Sequence, residues 1–236
     1  MDLRAHGVQL ENLLGLRSSP VALAFTSVPP PNVQRISEST PAGCGYWKLA
    51  ADGQVFFTEA ADHYNCPVGA HTHGVDLPAE VARELEGLMA TMVRLEYLKM
   101  GEVPGIPRRT ARFGVAVYAP LSRAPIDPDV ILLRGNPKQM MLVAEAVHAA
   151  GISQDMAAKL RPTCAIVPEA AEAGRANLSL GCIGNRVYTG LGDDEMYYAI
   201  PACHLAAVME KLETIVAANR TLDVFHQQRQ AASSRP

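Results

Sequence analysis

Five cysteines stand in this chain of 236 residues, and four of them form two pairs with similar surroundings. Cys44 opens Cys-Gly-Tyr-Trp-Lys-Leu-Ala, and Cys66 sits in Asn-Cys-Pro-Val-Gly. Cys164 opens Cys-Ala-Ile-Val-Pro, and Cys182 sits in Gly-Cys-Ile-Gly-Asn-Arg. Gly53 and Gly174 follow the first cysteine of each pair, and Gly69 and Gly184 soon follow the second. A cysteine thiolate is a soft metal ligand, a redox group and a nucleophile. Four thiolates are the usual ligand set of an iron-sulfur cluster. The first expectation is therefore a cluster held by Cys44, Cys66, Cys164 and Cys182, serving electron transfer, redox sensing or a redox enzyme, with a redox partner protein. Nearby glycines would let backbone amides approach the inorganic sulfurs where no Cβ intervenes. Within the pairs, 21 and 17 residues separate the two cysteines. Common cluster and zinc motifs use short C-x2-C hooks instead. Convergence here would have to come from tertiary structure.

Two other chemistries use the same region. Zinc takes cysteine and histidine alike in a tetrahedron, and His63, His71 and His73 lie in one stretch with Cys66. On a strand, the rings of His71 and His73 would face the same way; as loop residues they would simply face solvent. Alternatively, Cys66 or Cys182 is the thiol of an enzyme, with His63 as acid-base group. Arg186 would then clamp a small anionic molecule in a pocket between two halves of the chain. Such a thiol needs a neighbouring histidine, cation or helix N-terminus to activate it. A third class is a binding or adaptor protein whose cysteines only pack. Cys203, in the apolar start of a helix, reads as core, since cysteine is among the most buried residue types.

Composition narrows the setting. The chain is 48% hydrophobic and 19% charged, with a net charge of -3, as expected for a globular protein. It lacks the basic face that nucleic-acid binding requires. No apolar run reaches membrane-spanning length, and the first residues lack the pattern of a signal peptide. The expectation is a cytoplasmic protein without membrane or nucleic-acid partners. A reducing compartment and an odd cysteine count both weigh against disulfides.

The elements that must position the cysteines follow from periodicity. Residues 2–16 and 78–100 carry apolar positions at three- and four-residue steps and read as helices. Asn136-Pro137 caps another through Ala150, with Met140, Met141, Val143, Ala144 and Val147 facing inward. Residues 201–218 form a last helix, and Tyr46 to Ala50 begins a short one. Strands are expected at 21–25, 55–58, 114–119, 130–133, 164–167, 178–180 and 186–189. Residues 59–74 read as a site loop, 104–107 as a linker and 227–236 as a frayed polar tail. The order predicts an α/β or α+β fold: two related half-units, 1–103 and 108–220, with a mixed sheet and flanking helices. They are expected to pack as one structural unit over 1–236.

Three motifs carry a resemblance: Cys44-Gly-Tyr-Trp-Lys-Leu-Ala, Asp62-His-Tyr-Asn-Cys-Pro-Val-Gly and Ser179-Leu-Gly-Cys-Ile-Gly-Asn-Arg-Val-Tyr-Thr-Gly. Together they make the chain, from about Leu10 to Val216, similar to a prokaryotic family of unknown function, the ArCR-type uncharacterised proteins. The resemblance implies a soluble bacterial or archaeal protein and brings no reaction with it.

Overall fold

The continuous apolar runs become the centre of one sheet. In the computed structural model, which describes residues 3–159 and 161–233, Val21–Thr26 forms β1 and Val130–Gly135 forms β5, paired antiparallel with Val21 opposite Leu132. Both are buried on both faces, which is why they lack the apolar-polar alternation of a half-exposed strand. Outward from β1 lie β4 (Val115–Pro120), β3 (Phe56–Glu59) and the two-residue β2 (Gln34–Arg35). Outward from β5 lie β8 (Met196–Pro201), β7 (Ala176–Ser179) and β6 (Gln154–Lys159).

The eight strands follow the order β2-β3-β4-β1-β5-β8-β7-β6. Pairing is parallel at the two edges (β2 with β3, β6 with β7) and antiparallel everywhere between. It reads the same from either end, so the two half-units are related in topology as well as in their cysteine motifs. The sheet is mixed and flanked by helices on both sides.

Because side chains alternate across a strand, neighbouring residues feed opposite cores. Ile131 and Leu133 join α1 (Leu3–Leu14), α5 (Pro137–Ala149) and α8 (Leu205–Ser233) on one face. Val130 and Leu132 join α2 (Gly45–Ala51) and α6 (Ile166–Ala171) on the other. The second face also carries α3 (Pro67–Thr72) and α7 (Ile183–Thr189). The remaining helix, α4 (Ala79–Arg94), packs beside α3 with no fully buried residue. Among the described residues no helix is long and apolar enough to cross a membrane.

Several expectations need correction. Residues 164–167 and 186–189 are helical, not extended. Met141 is 41% exposed while Met140 is buried. The stretch 59–74 is a 3-10 turn followed by α3 rather than a loop. Residues 227–233 of the expected frayed tail continue α8, and 234–236 lie outside the described residues. Cys203 is exposed, because it falls in the turn between β8 and α8 rather than on the buried stripe of the helix.

The approach of β1 to β4 depends on one glycine. The Gly114 amide donates to the Thr26 carbonyl at 2.8 Å, and a Cβ at 114 would stand 2.0 Å from the Ser27 carbonyl oxygen. Gly114→Ala is expected to destabilise the protein by about 3 kcal/mol, the upper range for overpacking. Urea unfolding would show a lower midpoint at unchanged slope. An unchanged midpoint would mean that the strand end can move aside freely.

Candidate metal centre

Each of the four paired cysteines stands at the start of a short helix on the same face of the sheet. Cys44 precedes α2, Cys66 precedes α3 and Cys182 precedes α7. Cys164 lies in the 3-10 turn Thr163–Ala165 that leads into α6. The local reasons are visible in the chain. Pro67 suits the first helical position, where no amide donor is needed. The Cys66 sulfur accepts the Gly69 amide at 3.3 Å, in the manner of a cap. Gly190, with φ of 63°, closes α7 in the left-handed region that glycine tolerates.

Within each half, hydrogen bonds tie one cysteine segment to the other. The Cys182 amide donates to Thr163 Oγ1 at 2.6 Å, next to Cys164. The Tyr46 hydroxyl donates to the Asp62 carbonyl at 2.6 Å, and the Asn65 amide donates to the Thr40 carbonyl. Between the halves the contacts cross over. Asn185, on α7, draws the Cys44 thiol's pKa down, and Thr72, on α3, draws that of the Cys164 thiol down. Helix α2 packs on α7, and α3 packs on the turn carrying Cys164.

The thiols feel one another. Burial pushes the Cys44 thiol up to about 12; Asn185 draws it down, while Cys66 and Cys182 push it further up. Cys164 is pushed well above the usual thiol range by burial, then by Cys66, Cys44 and Cys182, with Thr72 opposing. Cys44 and Cys164 are thus each within electrostatic reach of thiols drawn from other segments. Cys164 is buried; the other three are half-buried.

Behind Cys66 lie two buried histidines, His63 and His73, with ring centroids 5.4 Å apart and planes 29° from parallel. His73 Nδ1 donates to the Gly69 carbonyl at 2.8 Å, which leaves Nε2 as a bare lone pair without a partner. His63 Nε2 bonds Thr58 Oγ1 at 2.9 Å, and its Nδ1 has no partner. Burial holds both neutral: His63 is pushed down to about 3, by burial and then by His73. His73 is pushed down to about 4, by burial and also by Arg109.

A family model described as uncharacterised ArCR (DUF169) matches residues 9–211. The chain belongs to the ArCR family. An uncharacterised protein of Methanocaldococcus jannaschii is 28% identical over 157 residues, 64% of this chain and 67% of that one. No solved structure matches.

In this ArCR protein the expected residues separate into two groups. Cys44 and Cys164 lie within electrostatic reach of Cys66 and Cys182, and His63 and His73 are buried beside the Cys66 segment. His71 and His73 do not share a face. They sit at the end of α3 rather than on a strand, and residues two apart on a helix point in different directions. His71 is half-buried near Arg108 while His73 is enclosed. The Arg186 guanidinium is engaged: it donates to the Gly192 carbonyl at 2.8 Å and the Leu180 carbonyl at 2.6 Å. It staples the loop around α7.

The donor set fits a thiophilic centre by type, four sulfurs being soft ligands. Two features of the surroundings bear on that fit. A Cβ at Gly69 would stand 3.1 Å from Cys66 Sγ. Both polar atoms of the buried Asn185 side chain lack a conventional partner. Among the described residues no group of three or more His, Cys, Asp or Glu is arranged to hold a metal ion. Thr72, Thr163 and Asn185 are site residues that sequence reading passes over. Only their places beside His73, Cys164 and Cys182 hint at them.

Proposed function

We propose that this protein carries an iron-sulfur cluster on Cys44, Cys66, Cys164 and Cys182 and serves a redox process. One observation supports this above others: beyond the effect of burial, Cys66 and Cys182 push the Cys44 thiol up, and Cys66, Cys44 and Cys182 push the Cys164 thiol up, so thiols from four segments lie within electrostatic reach of one another. Thiols so placed resist ionising alone, and a bound cation removes that resistance by offsetting the charge. When bound, a cluster supplies a one-electron couple tuned by burial and by hydrogen bonds to sulfur. The chain's own part is to hold the ligands, shield Cys164 and present Cys66 and Cys182, both half-buried, toward a redox partner protein. Zinc on the same thiols is the second candidate.

The thiol-enzyme reading is less favoured. Arg186 is occupied by carbonyls, and His63 is enclosed.

Anaerobic reconstitution with ferrous iron and sulfide tests the proposal. The expected product is brown, with a broad band at roughly 400 nm from sulfur-to-iron charge transfer. Colourless protein without iron or sulfide would remove the cluster and leave zinc, measured as one equivalent. In either case the ligand thiols must lose protons. Between pH 7 and pH 8, apparent zinc affinity is expected to rise about tenfold for each thiol deprotonated, hence at least about 100-fold for Cys44 and Cys164 together. A pH-independent affinity would exclude these thiols as ligands.

A further inference from the structure

Helix α8 outlasts its own packing. Leu205, Val208, Met209, Leu212 and Val216 anchor its first part, but every residue from Arg220 to Ser233 is exposed. At the rise of an α-helix those residues project about 20 Å, and isolated helices of that length are marginal in water. The projecting part is not polar all round. Ile215, Ala218, Leu222 and Phe225 follow at steps of three and four, one face of a helix. Leu222 is 52% exposed and Phe225 53%.

That stripe begins inside an apolar groove. Ile215 lines an open groove of about 630 Å³ together with Met140, Met141, Met156 and Met196. It lies on the side of the sheet that carries α5 and α8, opposite the cysteines. Methionine-rich surfaces adapt to an incoming apolar helix. Within one chain the arm leaves the groove uncovered, because α8 runs on unbroken past Ile215. A second copy related by a twofold axis could lay its arm in this groove and receive this arm in return, covering both stripes and both grooves. Charge agrees with the match. Arg229, one turn past Phe225 on the same stripe, would meet Glu145, the one carboxylate among the groove's lining residues.

We propose that α8 beyond Arg220 is a dimerisation arm whose Leu222 and Phe225 occupy the methionine-lined groove of a second copy of this chain. Sedimentation velocity on the full chain tests it. The protein is expected to be a dimer, and the L222E/F225E variant a monomer, its dimer dissociation constant raised at least about 100-fold, as for loss of two anchor residues. These side chains are exposed, so the fold should survive, as circular dichroism would verify. Met141→Glu, in the groove, is expected to act alike, with Met156→Glu as the alternative should that variant lose its fold. A wild-type protein still monomeric at about 0.1 mM would overturn the proposal. So would a dimer that survives the arm variant, or one broken by the arm variant but not by a folded groove variant.

Discussion

Cys164→Ser is expected to lose the iron-sulfur cluster altogether, with the iron-to-protein ratio after reconstitution falling to background, and to weaken zinc binding. Of the four thiols, Cys164 is the buried one, and each of the other three acts on it. Serine removes a soft donor and replaces it with a hydroxyl that stays protonated and is hard. Structural zinc sites bind with about 10–16 kcal/mol, so one ligand in four is worth roughly 3 kcal/mol or about 100-fold in affinity. An iron-sulfur cluster is less forgiving, because a vacant iron position invites its loss. Cys203→Ser is the control: that cysteine is exposed, and loading should not change. Elemental analysis of both proteins reads the result. A full cluster on a folded Cys164→Ser protein, or unchanged zinc affinity, would end the four-thiol proposal.

Legibility differed sharply between elements, for physical reasons. Strands β1 and β5 were plain because burial on both faces requires unbroken apolar runs. Helix α5 was plain because Asn136 and Gln139 form a reciprocal cap that shows in the sequence. Strand β6 was not, since Gln-Asp-Met-Ala-Ala-Lys pairs only with β7 at the sheet edge, and edge pairing is set by tertiary context rather than propensity. Helix α7 was misread as a strand because its seven residues are too few to reveal a period. Much the same holds for the site. The matched settings of the four cysteines were visible in the sequence. What acts on Cys44 and Cys164 was not, because Asn185 and Thr72 influence them from the opposite half. The histidines were noticed as possible ligands, yet only the fold shows that His63 and His73 stack while His71 turns away.

Mild acid is expected to destabilise the metal-free protein strongly, and the stacked histidines supply the reason. In the unfolded chain both titrate near 6.5; in the fold His63 is pushed down to about 3 and His73 to about 4, burial being the main cause for each. Below 6.5 the unfolded chain therefore takes up protons that the native protein refuses, and stability falls with pH. The contribution is intact above the unfolded value and is lost progressively as pH drops toward the folded ones. Each unit of the gap is worth about 1.4 kcal/mol per group. By pH 5 the two rings together should remove roughly 4 kcal/mol, against a typical total of about 5–15 kcal/mol. Carboxylates held low by ion pairs, such as Glu195 beside Arg134, titrate below this window and add their loss only at stronger acidity. Urea titrations at pH 7, 6 and 5 should show the midpoint falling steadily. The double variant His63→Gln, His73→Asn retains side-chain amides toward Thr58 and Gly69 but cannot titrate. It should be less stable at pH 7 and nearly flat down to pH 5. A flat wild-type curve would mean that the native rings accept protons as readily as the unfolded chain, which is incompatible with the enclosure of His63 and His73 behind the thiols.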